Sequence, residues 1–279
     1  MRIDLHTHSS ASDGTQDPAE VMDAAARAGL DAVALTDHDT TAGWAAARRR
    51  AEELGLDFVP GMEVSCSSAR GISVHLLCYL HDPLAPGLSA EIGRSRAARM
   101  DRARRMVERI AEDYPIDWDA VLEHVREDAT VGRPHIADTL VDAGVCADRS
   151  EAFATILRPS TPYYIPHYAP DPSDAVRLVR EAGGVPVFAH PLASARGRVV
   201  SEDVFDEMVD AGLAGVEVHH RDNPPEAREW LLDYARRRDL IVTGSSDYHG
   251  AGKPNLLGEN TTSPEALEAI REQARPAVG

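Results

Sequence analysis

Short apolar runs alternate with amphipathic stretches along most of this chain of 279 residues. The runs that we assign to strands cover residues 3–5, 32–35, 58–59, 72–80, 185–188, 215–218 and 240–243. Helix signals lie between most of them. After the first run, for example, Asp17 is a candidate N-cap, Glu20 completes a capping box and Gly29 is a stop signal. Seven strands that alternate with helices predict an α/β fold with an all-parallel sheet.

A helical segment over residues 89–162 interrupts this alternation. We therefore predict a barrel domain built from residues 1–88 and 163–279, and a helical insertion that covers the site as a substrate lid. The first helix of the insertion carries Arg94, Arg96, Arg99, Arg102, Arg104, Arg105 and Arg109. A solvated helix face and a basic lid over an anionic substrate both explain this pattern, and the sequence leaves both open.

Histidines and carboxylates follow several of the apolar runs. His6 and His8 come directly after the first run, and such a pair is a good clamp for a divalent metal because neutral imidazole binds Zn, Fe, Ni and Cu. The candidate metal ligands are His6, His8, Asp13, His38, Glu63, His75, His190, Asp247 and His249. Most come just past a predicted strand, where (β/α) barrels build their sites, and nearly all strands contribute. This distribution predicts a closed or distorted barrel rather than an open doubly wound sheet.

The candidate ligands also indicate the chemistry of the site. Three are carboxylates and the rest are neutral imidazoles, so three divalent ions would leave a net charge of roughly +3, which attracts a phosphate dianion. A nitrogen and oxygen ligand set without thiolates suits Mn²⁺, Fe²⁺ or Zn²⁺. We therefore predict two or three divalent ions per chain, in a metallohydrolase that uses an acidified bridging water to attack a phosphate ester.

Composition narrows the class of partner. The formal net charge is −17, and a surface this negative disfavours long nucleic acids, whose binding depends on Lys and Arg. No apolar run is long enough to span a bilayer and no leader-like stretch opens the chain, so we predict a cytoplasmic protein that does not bind membranes. Cys66, Cys78 and Cys146 form no C-x-x-C pair. We predict no obligate protein partner. The remaining partner class is a small phosphorylated substrate.

Several motifs together resemble the PHP (polymerase and histidinol phosphatase) family. They are His6-x-His8, Asp13, Thr36-Asp-His-Asp39, Glu63, Ala189-His190-Pro191 and Ser246-Asp247-x-His249-Gly250. The resemblance spans the whole chain, and the inserted Gly132-Arg-Pro-His-Ile-Ala137 with Tyr163-Tyr164 resembles the subgroup of small PHP phosphoesterases that act on nucleotides. It implies a distorted (β/α)7 barrel with up to three metal ions. The implied activity is a phosphomonoesterase of small nucleotides, such as AMP or a 3′,5′-bisphosphonucleoside.

The resemblance also implies an assignment of ligands to ions. The first ion would take His6, His8, Glu63 and Asp247, the second Asp13, His38 and His249, and the third Glu63, His75 and His190. With a hydroxide that bridges the metals as nucleophile, the implied catalytic residues are Glu63, Asp247 and His249. Asp13 stands where many relatives have a histidine, which leaves the preferred metal open. His75 lies within a strand pattern, so a packed core histidine is its alternative reading.

Candidate substrate contacts lie at other strand ends or open a helix of the insertion. They are Arg133, His135, Arg196, His219 and His220. Arg133 and His135 stand at a predicted helix start, where anions bind well. Neighbouring residues of an extended segment face opposite ways, so only one of His219 and His220 can point into the site. For the arginines, an exposed side chain without a role is the alternative.

Four other functions stay open at this point. The main alternative is 5′→3′ trimming of short oligoribonucleotides, which relatives of the nucleotide subgroup perform with the same metals. Histidinol phosphatase fits less well, because the helical insertion resembles that of the nucleotide group. A carbon–nitrogen hydrolase of the amidohydrolase class shares the His-x-His start but not the Thr-Asp-His-Asp or Asp-x-His-Gly segments. A non-catalytic PHP-like module would show eroded ligand positions.

Overall fold

The computed structural model describes residues 1–126 and 129–275. One seven-stranded sheet runs in chain order through β1 (Ile3–Asp4), β2 (Ala32–Leu35), β3 (Asp57–Ser67), β4 (Ser73–Tyr79), β5 (Val185–Phe188), β6 (Gly215–His219) and β7 (Ile241–Gly244). A parallel bridge between Thr7 and Tyr248 joins the segments that follow β1 and β7. The sheet is therefore a nearly closed barrel, and the predicted distorted seven-stranded α/β barrel is confirmed.

The described part of the chain contains ten α-helices. They are α1 (Pro18–Arg27), α2 (Trp44–Leu54), α3 (Pro86–Ile110), α4 (Trp118–Glu123), α5 (Arg133–Asp142), α6 (Arg149–Ala154), α7 (Pro172–Glu181), α8 (Glu202–Asp210), α9 (Pro225–Arg238) and α10 (Pro264–Gln273). The predicted capping box of α1 is present, since the Asp17 carboxylate accepts the Ala19 N–H and Glu20 accepts the Asp17 N–H. None of the described helices is both long enough and apolar enough to cross a bilayer.

The prediction of an all-parallel sheet is wrong at β4. This strand pairs antiparallel with both β3 and β5, whereas the other neighbours are parallel. The reason is the tight turn after β3, where Ser68 N–H donates to the carbonyl of Ile72 at 2.9 Å. Antiparallel strands can be joined by such a turn, whereas parallel strands need a crossover. β3 is also longer than predicted, so Glu63 lies inside the strand and not past its end.

Separate apolar cores support the barrel and the helical insertion. The barrel interior is closed by side chains that include Leu5, Leu77 and Val187, all without solvent exposure. A different cluster, which extends along the chain from Ala103 to Ile165, holds α3 to α6 together. The predicted division of the chain at residues 89 and 162 stays a prediction, as does the role of the insertion as a lid. Its link to the barrel includes the Thr130 N–H, which donates to the carbonyl of Ala11 at 3.1 Å.

Candidate metal centre

Strand β1 delivers the first two candidate ligands to one end of the barrel. His6 and His8 lie on either side of Thr7 and are both fully buried. Asp4 holds this segment against the one after β7, because its carboxylate accepts the N–H groups of His6 at 3.4 Å and Ser246 at 3.0 Å. The two Nε2 atoms of His6 and His8 are 3.0 Å apart. Two nitrogens that each lie about 2.1 Å from one ion are separated by roughly 3.0 to 3.4 Å, so this spacing fits a shared metal ion.

The carboxylate of Glu63 is the hub of the site. Five imidazole rings place a nitrogen within 3.2 Å of its oxygens, and they belong to His6, His8, His38, His75 and His190. Oε2 faces His6, His8 and His38, and Oε1 faces His75 and His190. The structure thus brings His75 to the centre although it lies within β4. Both oxygens of this carboxylate would therefore be available to hold divalent metal ions.

Asp247 lies between the histidines and two basic side chains. Its Oδ1 is 3.5 Å from His6 Nε2 and 3.4 Å from His8 Nε2. On the other oxygen, Arg196 Nη2 donates to Oδ2 at 2.6 Å and Lys253 Nζ donates at 3.0 Å. One oxygen is therefore turned toward the candidate ligands, and the other is held in place by cations.

Asp13 organises a second group of ligands. Its Oδ1 lies 3.2 Å from His249 Nε2, and its Oδ2 lies 3.8 Å from His38 Nε2. The loop that carries Asp13 is anchored by Asp37, which accepts the Ser9 N–H and the Ser12 hydroxyl, each at 2.7 Å. Four groups of ligand atoms lie close enough together to hold a cation among the described residues. They are His8, Asp13, His38 and His249; His6, His8, Glu63 and Asp247; His38, Glu63 and His75; and His6, His190 and Glu217.

The chemistry of these atoms fits divalent metal ions. His8 Nδ1, His38 Nδ1 and His249 Nε2 are buried without a hydrogen-bond partner, which is costly unless another ligand satisfies them. Burial lowers the pKa of His249 to about 4, so this imidazole is held in the neutral form that binds metals. Burial by itself would raise the pKa of the Asp13 carboxyl, but the nearby His249 and His38 outweigh it and hold that pKa well below its ordinary value. Charged carboxylates and neutral imidazoles are the ligand forms that the site requires.

Two candidate ligands have an uncommon backbone conformation. His190 has a φ of 28° and Asp247 a φ of 56°, both in the left-handed region that residues other than glycine rarely adopt. Such conformations cost free energy and persist where the surroundings hold them, which is typical of functional sites. The His190 N–H is held by Glu217 Oε2 at 2.8 Å. The strain therefore lies at residues whose side chains converge on the centre.

Metal loading is expected to release protons at neutral pH. Burial by itself would lower the pKa of His8, but Asp247 and Glu63 outweigh it and raise the pKa to about 9. In the metal-free protein the positive charge of protonated His8 stabilises the fold. This stabilisation is fully present below the unfolded-state pKa near 6.5 and is lost as the pH rises through about 9. A metal ion must displace that proton, so metal affinity falls as the pH is lowered.

Calorimetric titration of the metal-free protein with Zn²⁺ in two buffers of different ionisation enthalpy measures this release. We expect a buffer-dependent enthalpy at pH 7 that becomes smaller toward pH 9. The same enthalpy in both buffers at pH 7 would contradict the protonated state of His8.

Of the candidate substrate residues that lie after β5 or at the end of β6, two lie at the metal centre and one points away from it. Arg196 bridges Asp247 and Asp222 at the edge of the centre. His220 is buried with its Nε2 3.6 Å from Asp247 Oδ2, and His219 is exposed. As strand alternation requires, only one of the two histidines faces the site.

Arg133 and His135 lie at the start of α5. The His135 ring is buried, and its Nδ1 accepts the Gly132 N–H at 3.1 Å, so one nitrogen is used to begin the helix. The Arg133 guanidinium lies over the rings of Phe153 and Tyr164, with centroid distances of 5.2 and 5.7 Å. It donates to the carbonyl of Leu157 at 3.4 Å. The structure therefore places Arg133 in an aromatic frame within the insertion.

Sequence reasoning missed Glu217 and did not separate Arg99 and Arg102 from the other arginines of α3. Glu217 is a fully buried carboxylate in the otherwise apolar β6, and that acidic residue between two valines was the available signal. Arg99 donates to Asp39 Oδ2 and to Ser65 Oγ, each at 2.6 Å, and Arg102 is only 6 % exposed. The solvated-face interpretation of α3 therefore does not hold for these two residues.

A family model described as the PHP domain matches residues 4–85. The chain is 35 % identical over 252 residues to the 3′,5′-nucleoside bisphosphate phosphatase of Chromobacterium violaceum, with 90 % of this chain and 88 % of that protein covered. The chain belongs to the PHP family. Similarity within the family extends to a phosphoribosyl 1,2-cyclic phosphate 1,2-diphosphodiesterase of Eggerthella lenta, at 34 % identity with 90 % of this chain and 95 % of that one covered. A 5′-3′ exoribonuclease of Haemophilus influenzae is 29 % identical, with 98 % of each chain covered.

A solved structure agrees with these relatives. The Bifidobacterium adolescentis protein, classed as a metal-dependent phosphoesterase, has 45 % sequence identity and a TM-score of 0.96, with 99 % of this chain and 98 % of that one covered. The present chain is accordingly a metal-dependent phosphoesterase, a hydrolase of phosphoric esters, as the motifs predicted.

Proposed function

We propose that this PHP protein hydrolyses phosphomonoesters of small nucleotides, with a 3′,5′-bisphosphonucleoside or AMP as its substrate. The observation that carries the proposal is a group of basic side chains on the insertion and the loop after it. We call Arg99, Arg102, Arg133 and His167 the basic cluster. It supplies a second place for a phosphate beside the metal centre, and the bisphosphonucleoside is therefore the preferred substrate.

Arg102 is buried, the other three members of the basic cluster are half-buried, and two of the arginines are short of counter-ions. Arg102 Nη1 lies 3.1 Å from His167 Nδ1, and in the described part of the chain no carboxylate lies within 4.0 Å of Arg102 or Arg133. Burial, together with Arg133 and Arg99, lowers the pKa of Arg102 to about 9. Burial and the three arginines lower the pKa of His167 to about 3, which keeps this imidazole neutral. A bound anion would relieve the mutual repulsion of these guanidinium groups.

Arg99 connects the basic cluster with the metal centre. Its Nη1 bonds Asp39, the residue after the candidate ligand His38, and Ser65, which pairs with His75 across β3 and β4. A Cβ on Gly132, the residue before Arg133, would lie 3.4 Å from Arg99 Nη2. The basic cluster thus adjoins the metal centre, which would be positively charged with its ions bound. This arrangement supports a substrate with two phosphates.

The residues of the centre indicate how each part would act. Divalent ions held by the candidate ligands would polarise the phosphoryl group and acidify water. Arg196 and Lys253 hold Asp247 with one oxygen toward the ligands, and they add positive charge at the edge of the site where a leaving oxygen gains negative charge. The planar guanidinium groups of the basic cluster match phosphate oxygens bidentately and would orient the rest of the substrate.

We propose that two or three transition-metal ions bind per chain. The nine candidate ligands form more groups than one ion of four to six ligands can use. Elemental analysis of purified protein should give two or three equivalents of Mn, Fe or Zn, and chelation should abolish activity. One equivalent or less, with activity intact after dialysis against chelator, contradicts this assignment.

Trimming of short oligoribonucleotides from the 5′ end is the second candidate function. The similarity to an exoribonuclease over nearly the full length of both chains favours it. A basic cluster that binds a second phosphate serves equally for the next phosphate of an RNA strand. The two functions differ in the bond that is broken, since trimming cleaves a phosphodiester and releases nucleoside monophosphates.

A substrate panel with added Mn²⁺ tests the proposal. It contains a 3′,5′-bisphosphonucleoside, AMP, ribose 5-phosphate, histidinol phosphate and a short 5′-phosphorylated RNA. We expect the highest kcat/KM for the bisphosphonucleoside, with release of inorganic phosphate. A higher kcat/KM for the RNA, or for histidinol phosphate, would overturn the proposal in favour of that activity.

A further inference from the structure

We propose that Glu217 is a positioning residue for the metal centre. It would fix which nitrogen of His6 carries the proton and would hold three ligand-bearing segments together, without being a ligand itself. The inference rests on the proposed role of His6 as a metal ligand and is independent of the substrate.

Both oxygens of Glu217 are occupied by donors from other strands. His6 Nδ1 lies 3.0 Å from Oε1, and the Ser245 hydroxyl donates to the same oxygen. Oε2 accepts the backbone N–H of His190 at 2.8 Å. The side chain of Glu217 is fully buried, so water does not compete for these bonds. One carboxylate in β6 therefore joins segments that follow β1, β5 and β7.

The bond to His6 determines what the imidazole can offer to a metal. A neutral imidazole has one protonated nitrogen and one free lone pair. With the proton held on Nδ1 by Glu217, the lone pair lies on Nε2, which is 3.2 Å from Glu63 Oε2 and 3.5 Å from Asp247 Oδ1. A carboxylate that accepts a hydrogen bond from a metal-binding histidine fixes the orientation of the ring and increases its basicity. Loss of such a carboxylate commonly lowers metal affinity by about 10 to 100-fold.

The other two bonds act on neighbouring candidate ligands. His190 has its φ in the left-handed region, and the Glu217 bond to its N–H helps to hold that conformation. Ser245 stands two residues before Asp247. Replacement by glutamine leaves only one acceptor oxygen and sets an NH2 group against a donor, so Glu217→Gln breaks the arrangement at nearly constant volume.

The test measures metal binding by metal-free Glu217→Gln and Glu217→Ala proteins, with a chromophoric chelator as competitor for Zn²⁺. We expect unchanged stoichiometry and an affinity for the tightest ion that is lower by about 10 to 100-fold. Asp57→Asn is the control, because Asp57 is a half-buried carboxylate at the start of β3 that pairs with Arg271 and belongs to none of the candidate ligand groups. Its thermal stability should fall, while its Zn²⁺ affinity should stay within about threefold of wild type.

A second measurement reports the bond itself. The zinc-loaded wild-type protein should show a strongly downfield imidazole N–H proton resonance from His6 Nδ1, which moves upfield in Glu217→Gln and stays in place in Asp57→Asn. Loss of one zinc equivalent in the glutamine variant would make Glu217 a ligand and overturn the proposal. Wild-type affinity with an unshifted resonance would overturn it as well. Neither readout depends on the substrate, so failure of the nucleotide assignment would leave this test intact.

Discussion

Asp247→Ala and His6→Ala are expected to abolish turnover, whereas His124→Ala should keep wild-type kcat/KM. Asp247 and His6 lie in the group that also contains His8 and Glu63, with all four ligand atoms within 4.8 Å of one another. Loss of a hydrogen-bond partner of a metal ligand lowers metal affinity or activity by about 10 to 100-fold, so removal of the ligand itself should lower kcat/KM by more than about 100-fold. The loss is expected to have two sources, which are weaker metal binding and weaker polarisation of the reacting phosphoryl group.

His124 is a suitable control because it is the C-cap residue of α4 in the insertion, and its side chain pairs with the exposed Asp142 at 3.4 Å, which is not a candidate ligand. All three variants should be assayed with saturating Mn²⁺, and their circular dichroism should match that of wild type. Equal activity of the three variants under these conditions would show that the converging residues are not the reaction centre.

Arg133→Ala should lose roughly 2 to 4 kcal/mol of transition-state stabilisation toward a bisphosphonucleoside, or about 30 to 1,000-fold in kcat/KM. The expected cause is loss of a phosphate contact in the basic cluster, where the guanidinium lies in an aromatic frame without a carboxylate partner among the described residues. Arg133→Lys should recover only part of the loss, because an ammonium is a point charge and does not reproduce the planar fork. Metal content should stay unchanged in both variants.

The control for Arg133 is Arg105→Ala, which removes an exposed arginine of the same insertion that pairs with Asp101. A substrate comparison adds a second control. If Arg133 binds the second phosphate, the defect should be much larger for the bisphosphonucleoside than for ribose 5-phosphate. Wild-type kcat/KM in Arg133→Ala with the bisphosphonucleoside would exclude a direct substrate role for this arginine.

The positions of the candidate ligands were predictable because barrel strands bring their carboxyl ends together, and a motif that follows a strand must lie near the others. The direction of β4 was not predictable in the same way. An apolar run reads alike in both directions, and only the tight turn after β3 shows that no crossover helix intervenes. Glu63 and His75 therefore reach the centre from within an antiparallel pair, which strand-end reasoning does not cover.

The role of side chains on the insertion depends on packing that the sequence does not encode locally. Arg99 and Arg102 lie three residues apart and share a helix face, but so do other arginines of α3. Which face turns toward the barrel is decided by the apolar contacts of Ala103, Met106 and Ile110 within the insertion core. Glu217 was overlooked for a similar reason, since only the tertiary structure shows that its carboxylate meets His6 across the barrel.

The central claim is that this PHP protein is a metal-dependent phosphomonoesterase of small nucleotides. Its most direct test is hydrolysis of a 3′,5′-bisphosphonucleoside by one protein sample before chelation, after chelation and after reloading with Mn²⁺, with products separated by chromatography. We predict equal initial rates of formation of inorganic phosphate and nucleoside monophosphate before chelation, no products after it, and recovery on reloading. Hydrolysis at an undiminished rate by the chelated protein, or no phosphate release from the reloaded protein, would contradict the claim.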